Sequence, residues 1–154
     1  MEIVCDTSFL MVLCYDPVKN LDSLESRFGK LTWLIHPETV NELSQLERSA
    51  GIKRSKIAGL SLTIIKKQIE NGNFKFLDEN HLKGILKRNE SNLTVDSVLL
   101  NLAIEKKNPM ATIDKELMRR ALKKGVDVIT LKNNKIIYAH SRPRSNLNQS
   151  KASP

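Results

Sequence analysis

Short apolar segments alternate with amphipathic helical segments along almost the whole chain, and this alternation restricts the fold more than any other feature. Five segments have the length and composition of buried strands, namely residues 1–5, 31–36, 74–77, 110–113 and 127–131. Between them, apolar residues recur at helical spacing, as at Val95, Val98, Leu99 and Leu102. Strands that are joined by helices pair in parallel through right-handed crossovers. The sequence therefore predicts an α/β fold, a three-layer α/β/α sandwich with a central, mostly parallel sheet.

Three segments depart from this alternation. Residues 80–93 have little periodicity, which predicts a short helix or a loop. The Asn133-Asn134 pair favours a hairpin that leads into a further strand at residues 136–138. Residues 141–154 contain four Ser, two Pro and three basic residues but no acid. They are predicted to form a flexible basic tail behind a single domain at residues 1–140.

Charge and hydropathy narrow the class of protein further. The 154 residues suit one domain and carry a formal charge of +8. Residues 1–80 hold 10 basic and 11 acidic side chains, whereas residues 81–154 hold 15 and 6, so the second half is expected to attract a polyanion. The longest apolar run, residues 9–15, is too short to span a membrane, and no basic region precedes it. We expect a cytoplasmic protein with no membrane role.

Four acids stand where predicted strands and helices meet. Asp6 and Asp114 each end a strand, Glu42 lies in the first turns of the helix after the second strand, and Asp96 lies in the first turn of another helix. Ligands of open α/β sheets bind at the carboxyl ends of the strands. Clustered carboxylates repel each other unless a cation neutralises them, and Mg²⁺ and Mn²⁺ prefer such hard oxygen ligands. The four acids together favour a metal site.

Each acid taken alone also has a purely structural explanation. Asp6 and Asp114 could be helix N-caps. Thr39 and Glu42 have the spacing of a capping box. Asp96 in a first turn would complement the helix dipole. Structural geometry has to decide between these explanations and the metal site.

Four short motifs in order resemble those of the PIN domain, a family of metal-dependent ribonucleases. They are D-T-S at residues 6–8, V-N-E-L at 40–43, D-S-V-L-L at 96–100 and A-T-I-D-K-E-L at 111–117. The resemblance covers roughly residues 2–140, and residues 111–131 look most like archaeal PIN proteins related to small-subunit ribosomal RNA processing nucleases. Similar domains also serve as toxins of toxin-antitoxin pairs. The resemblance implies a PIN-like fold and an endoribonuclease.

The resemblance also implies roles for particular residues. Asp6, Glu42, Asp96 and Asp114 match the acidic quartet that binds Mg²⁺ or Mn²⁺ and supports hydrolysis of an RNA phosphodiester. The hydroxyl groups that orient the acids or a water in the family are matched by Thr7 or Ser8 and by Thr112. Many relatives have two consecutive aspartates where this chain has Val95-Asp96.

RNA contact requires cations near the acidic cleft, because the carboxylates themselves repel phosphate. Two groups of cations are candidates. In the group on the helix that starts at Asp114, the apolar residues are expected to face the core, so the cations should face solvent. The candidates are Arg48, Lys53, Arg54 and Lys56 after the Glu42 helix, and Lys115, Arg119 and Arg120 on the helix that starts at Asp114. The alternative is an ordinary solvated helix face.

Two other interpretations compete with the nuclease. One is a PIN-fold RNA-binding scaffold in ribosome biogenesis with weak or no catalysis, which Val95 in the paired-acid position favours. The other is a phosphoacceptor receiver domain, in which Asp78 after the third strand would be the acceptor. Expected partners are RNA, a second copy of the chain through apolar helix surface at residues 60–69, and either an antitoxin or a pre-ribosomal particle.

Overall fold

A computed structural model of the chain describes residues 1–88 and 93–141. Its six strands form one sheet in the order β3-β2-β1-β4-β5-β6. The first five are parallel, and β6 runs antiparallel to β5. The predicted α/β class and mostly parallel sheet are thereby confirmed. The strands are β1 (Glu2–Cys5), β2 (Thr32–Ile35), β3 (Phe74–Phe76), β4 (Met110–Ala111), β5 (Val128–Lys132) and β6 (Lys135–Ala139).

Helices cover both faces of the sheet, which completes the three layers. Side chains alternate between the faces along each strand, so that Ile3 and Cys5 enter one core and Val4 enters the other. Helices α1–α4 pack on the first face and α5–α7 on the second. The helices are α1 (Thr7–Tyr15), α2 (Leu21–Phe28), α3 (Pro37–Ser49), α4 (Ile52–Glu70), α5 (Glu79–Arg88), α6 (Val95–Lys106) and α7 (Lys115–Lys123).

Local sequence explains several element boundaries. Pro37 is the first residue of α3, where its missing N–H costs nothing. Asn133 and Asn134 both adopt positive φ, of 51° and 59°, which is the backbone of a two-residue hairpin turn between β5 and β6. The aperiodic segment at 80–93 is helical up to Arg88. Its remainder lies partly outside the described residues, as does the predicted tail beyond Ser141.

Strand order determines where a ligand can enter. From β1 the chain builds outward through β2 and β3, and it then crosses to β4 on the other side of β1. Neighbouring connections therefore diverge at β1 and β4, which opens a crevice at their carboxyl ends. Asp78, which follows the edge strand β3, lies two strands away from β1. A receiver domain has its third strand beside the first, so the receiver interpretation is wrong.

Among the described residues, no helix combines the length and the apolar composition that crossing a membrane requires.

Candidate functional site

Asp6 is the most buried acid at the carboxyl edge of the sheet. It occupies the N-cap position of α1, but its side chain makes no capping hydrogen bond. Instead, Ser8 Oγ donates to Asp6 Oδ2 at 2.6 Å, and Thr112 Oγ1 donates to the same oxygen at 3.0 Å. The residue is only 7% exposed. The other carboxylate oxygen, Asp6 Oδ1, accepts no hydrogen bond from the described residues. Among those residues every fully buried side-chain oxygen has a hydrogen-bond partner, so Oδ1 must be in contact with solvent. The N-cap explanation therefore fails for Asp6.

Thr112 connects Asp6, which follows β1, to Asp114 beyond β4. It is fully buried, and its Oγ1 accepts a hydrogen bond from the Asp114 backbone N–H at 3.0 Å while it donates to Asp6. Asp114 Oδ1 in turn caps α7 by accepting from the backbone N–H groups of Glu116 and Leu117 at 2.9 and 3.1 Å. Asp114 is thus an N-cap, as its structural explanation predicted. A single hydroxyl group sets the relation between two of the four acids.

Asp96 lies in the first turn of α6, where Thr94 caps the helix by accepting from the Ser97 backbone N–H. Partial burial raises the pKa of Asp96 above its usual value of 3.8, and the charges of Asp6 and Asp114 raise it further. Arg120 acts in the opposite direction. Asp96 therefore lies close enough to Asp6 and Asp114 for both of their charges to act on its carboxylate.

Thr7 and Glu42 lie on the α1–α3 side of the site. Thr7 Oγ1 is 3.0 Å from the buried Thr39 Oγ1, which joins the start of α1 to the start of α3. His36 caps α3, because its Nδ1 accepts from the Glu38 backbone N–H at 2.9 Å. The capping box predicted from Thr39 and Glu42 is therefore wrong, since Thr39 already lies inside the helix.

Glu42 is exposed one turn beyond Thr39, on the same side of α3. Among residues 1–88 and 93–141 its carboxylate has no hydrogen-bond or ion-pair partner. Glu42 is therefore a solvent-exposed acid whose carboxylate is free to bind a ligand.

The donor chemistry of these acids fits a hard divalent cation. Three carboxylates near one another at one edge of a sheet provide the oxygen ligands and the negative charge that Mg²⁺ and Mn²⁺ require. Within the described residues, however, no three Asp, Glu, His or Cys side chains are already arranged so that they could hold a metal ion. Like charges move apart when no cation separates them, so binding would have to draw the side chains together.

Most of the predicted RNA-binding cations are exposed, but one is not. Arg120 is half-buried, and its Nη2 donates to Ser97 Oγ at 3.0 Å beside Asp96. The prediction that the α7 cations all face outward is therefore wrong for Arg120. Arg119, by contrast, pairs with Glu116 at 2.7 Å on the outer face of the helix. The exposed cations are Arg48, Lys53, Arg54, Lys56, Lys115 and Arg119.

Thiol chemistry has no support at this site. Burial raises the pKa of Cys5 well above its usual value and that of Cys14 to about 11, so neither thiol ionises near pH 7.

A cavity of about 560 Å³ opens beside Glu2, Pro109 and Asp127. These residues precede or begin their strands, so that cavity lies at the opposite edge of the sheet.

Ser97 and His36 are the contacts that sequence reasoning missed. Ser97 follows Asp96 and holds Arg120, while His36 immediately precedes the proline at the start of α3. The proline was a usable signal, since the residue before an N1 proline occupies the cap position.

Solved structures share this fold. The chain is similar to the structure of the PIN domain endonuclease Utp24, with a TM-score of 0.61 and 19% identity over 92% of this chain and 95% of that chain. It is also similar to a domain of a functionally unknown protein from Methanocaldococcus jannaschii, with a TM-score of 0.53 and 18% identity over 85% and 91%. No family model matches the sequence. No curated protein matches it either. The likeness establishes a PIN-like fold, as the four motifs predicted.

Proposed function

We propose that this PIN-like domain is a metal-dependent endoribonuclease that hydrolyses RNA phosphodiester bonds. One observation carries the proposal: Thr112 links Asp6 to Asp114 at the switch point of the sheet, and both of these acids repel the carboxylate of Asp96, whose pKa is raised first by burial and then by their charges. Repulsion between carboxylates lowers the stability of the folded protein, so acids that served only as helix caps would not need to lie this close together. The fold likeness to a PIN domain endonuclease supports the same conclusion.

Asp6, Glu42, Asp96 and Asp114 would hold Mg²⁺ or Mn²⁺. When bound, such a cation supplies a Lewis acid that lowers the pKa of water and stabilises the leaving oxygen. The chain contributes position and charge. Ser8 and Thr112 fix the orientation of Asp6 through Oδ2 and leave Oδ1 open.

Arg120 would orient the substrate phosphate from within the site. Its guanidinium lies beside Asp96 and uses one nitrogen on Ser97, and a guanidinium has five N–H groups in all. The exposed cations of α4 and α7, including Lys53 and Lys115, would attract the rest of the RNA backbone. A pre-ribosomal particle or an antitoxin is the partner expected of a processing enzyme or of a toxin, respectively.

A catalytically weak RNA-binding scaffold is the second candidate. Val95 occupies the position of a second acid, and it packs against the core of α5–α7 instead of offering a carboxylate. The site then has one ligand fewer than a paired-acid site. Metal dependence separates this candidate from the nuclease.

Cleavage of end-labelled single-stranded and structured RNA tests the proposal, with Mg²⁺, with Mn²⁺ and with EDTA. We expect wild type to cut RNA only with a metal, and Asp6→Asn and Asp96→Asn to lose at least about a hundredfold in rate. Asp22→Asn, on the exposed start of α2, is the matched control and should cut like wild type. Salt-dependent RNA binding without cleavage, identical in all variants, would favour the scaffold.

We also propose that the chain forms a homodimer. Large apolar side chains on α4 remain exposed, with Ile52 at 80% and Leu60 at 47%. Much of the predicted surface at 60–69 is covered by the chain itself, since Ser61 and Ile65 are buried. The mass in solution tests this proposal, and a monomer at micromolar concentration would refute it.

A further inference from the structure

A groove between α1 and α4 begins at Ser8, whose hydroxyl donates a hydrogen bond to Asp6. Ser8, Met11, Val12 and Tyr15 form one stripe along α1, at the helical spacing that places side chains on one face. Lys53 and Ile57 face them from α4, and Asp16 closes the far end. The groove has a volume of about 340 Å³. We call it the α1–α4 groove.

The groove is continuous with the candidate site. Ser8 lines it, and the Oγ of this residue donates to Asp6 Oδ2 at 2.6 Å. From Ser8 to Tyr15 the helix rises about 10 Å, because each residue advances by about 1.5 Å. A nucleotide whose phosphate lies at Asp6 could therefore extend its base along this stripe.

The lining suits a nucleobase better than another phosphate. Met11, Val12 and Ile57 offer apolar contact, and Tyr15 is 48% exposed, so its ring is available for stacking. Lys53 supplies one cation for the adjoining backbone. Asp16 would repel a phosphate, but its carboxylate can accept from an amino group of guanine, adenine or cytosine.

We propose that the α1–α4 groove binds one base of the RNA, next to the phosphate at Asp6. This subsite rests on the proposed function, since it takes RNA as the substrate. Tyr15 stacks on the base, and Asp16 favours bases that carry an amino group over uracil. The groove would then make the enzyme prefer adenine, guanine or cytosine over uracil at one nucleotide beside the cleaved bond.

Nucleotide binding tests the subsite without any need for cleavage. The probes are GMP, AMP, CMP, UMP and ribose 5-phosphate, each with Mg²⁺ and with EDTA, followed by protein NMR and by saturation transfer to the base protons. We expect the amino-bearing nucleotides to bind at least about tenfold more tightly than ribose 5-phosphate, and Tyr15→Ala to weaken them by about tenfold, the effect of losing one stacked base. Tyr15→Phe keeps the ring and should bind like wild type.

Two further variants test whether the effect is specific to the groove and whether Asp16 sets the base preference. Phe76→Ala removes another exposed aromatic ring, 41% exposed on β3, and should leave nucleotide binding unchanged. Asp16→Asn should remove the preference over UMP. If the base protons receive no saturation at 10 mM nucleotide, or if Tyr15→Ala binds GMP like wild type, the proposal is overturned and the groove serves another occupant such as a protein partner.

RNA cleavage separates failure of the subsite from failure of the nuclease. With a single abasic nucleotide moved along the RNA, wild type should lose about tenfold in rate at one position beside the cut, and Tyr15→Ala should lose nothing further there. Cleavage that ignores every abasic position would reject the subsite and leave the nuclease intact. Nucleotide binding in the groove without any metal-dependent cleavage would reject the nuclease alone.

Discussion

Replacing Thr112 by Val removes the link between the two strand ends that carry Asp6 and Asp114. Thr112 is fully buried, donates to Asp6 Oδ2 and accepts from the Asp114 N–H, so the substitution breaks both hydrogen bonds without opening a cavity. A hydrogen bond to a charged group contributes about 1.5 to 3 kcal/mol, and the neutral one adds about 1 kcal/mol, which gives a loss near 3 kcal/mol. For a domain of this size that loss lowers the thermal midpoint by about 6 to 12 °C.

Thermal and urea denaturation measure this loss directly, with Thr112→Ser as the matched control. Serine keeps the hydroxyl and loses only a buried methyl group, which costs about 1 kcal/mol. Because Thr112 orients Asp6, metal affinity should also fall by about 10- to 100-fold in Thr112→Val, and much less in Thr112→Ser. Equal stability of Thr112→Val and Thr112→Ser would refute the argument that this hydroxyl holds the two strand ends together.

Three further predictions concern Asp96, His36 and Arg120. Asp96→Asn should raise the thermal midpoint at pH 7 in EDTA. The pKa of Asp96 in the folded state lies above 3.8, so the folded protein loses stability as the pH rises and this carboxylate ionises. The gain from the substitution should vanish near pH 4, where the carboxylate is protonated. Burial lowers the pKa of His36 below 6.5, although Glu38 opposes the shift, so stability measured in urea should fall as pH drops from 7 to 5. His36→Asn keeps a cap acceptor and should flatten that dependence. Arg120→Ala should slow RNA cleavage by about 10- to 100-fold, whereas Arg119→Ala, on the outer face, should change it less than threefold.

The sheet and its acidic edge could be predicted because they depend on local patterns. Buried parallel strands are continuous apolar runs, and residues that follow such strands must meet at one edge of the sheet. Asp6 and Asp114 were therefore expected at the same edge, whereas only the resemblance to the PIN domain placed Thr112 beside the acids. The hydrogen bond from Thr112 to Asp6 follows from the pairing of β1 with β4, in which Cys5 lies opposite Ala111.

Side-chain directions were harder to predict, because they depend on how each helix is rotated against its neighbours. Arg120 follows Leu117 by three residues and therefore borders the buried face of α7, yet its charge suggested solvent. Its position became clear only from the approach of α6, whose Ser97 accepts its hydrogen bond. His36 was missed as a cap because Ser, Thr, Asp and Asn are the usual residues there.

A Mn²⁺-soaked crystal, measured at the manganese absorption edge, tests most directly whether the acids at the switch point form a metal site. We expect an anomalous peak bounded by Asp6, Asp96 and Asp114, with Asp6 Oδ1 as the ligand oxygen that the hydrogen bonds from Ser8 and Thr112 leave open. The same peak should be absent from Asp6→Asn crystals. A wild-type crystal in 10 mM Mn²⁺ with no peak at these carboxylates, or with an equal peak in Asp6→Asn, would contradict the metal-dependent nuclease.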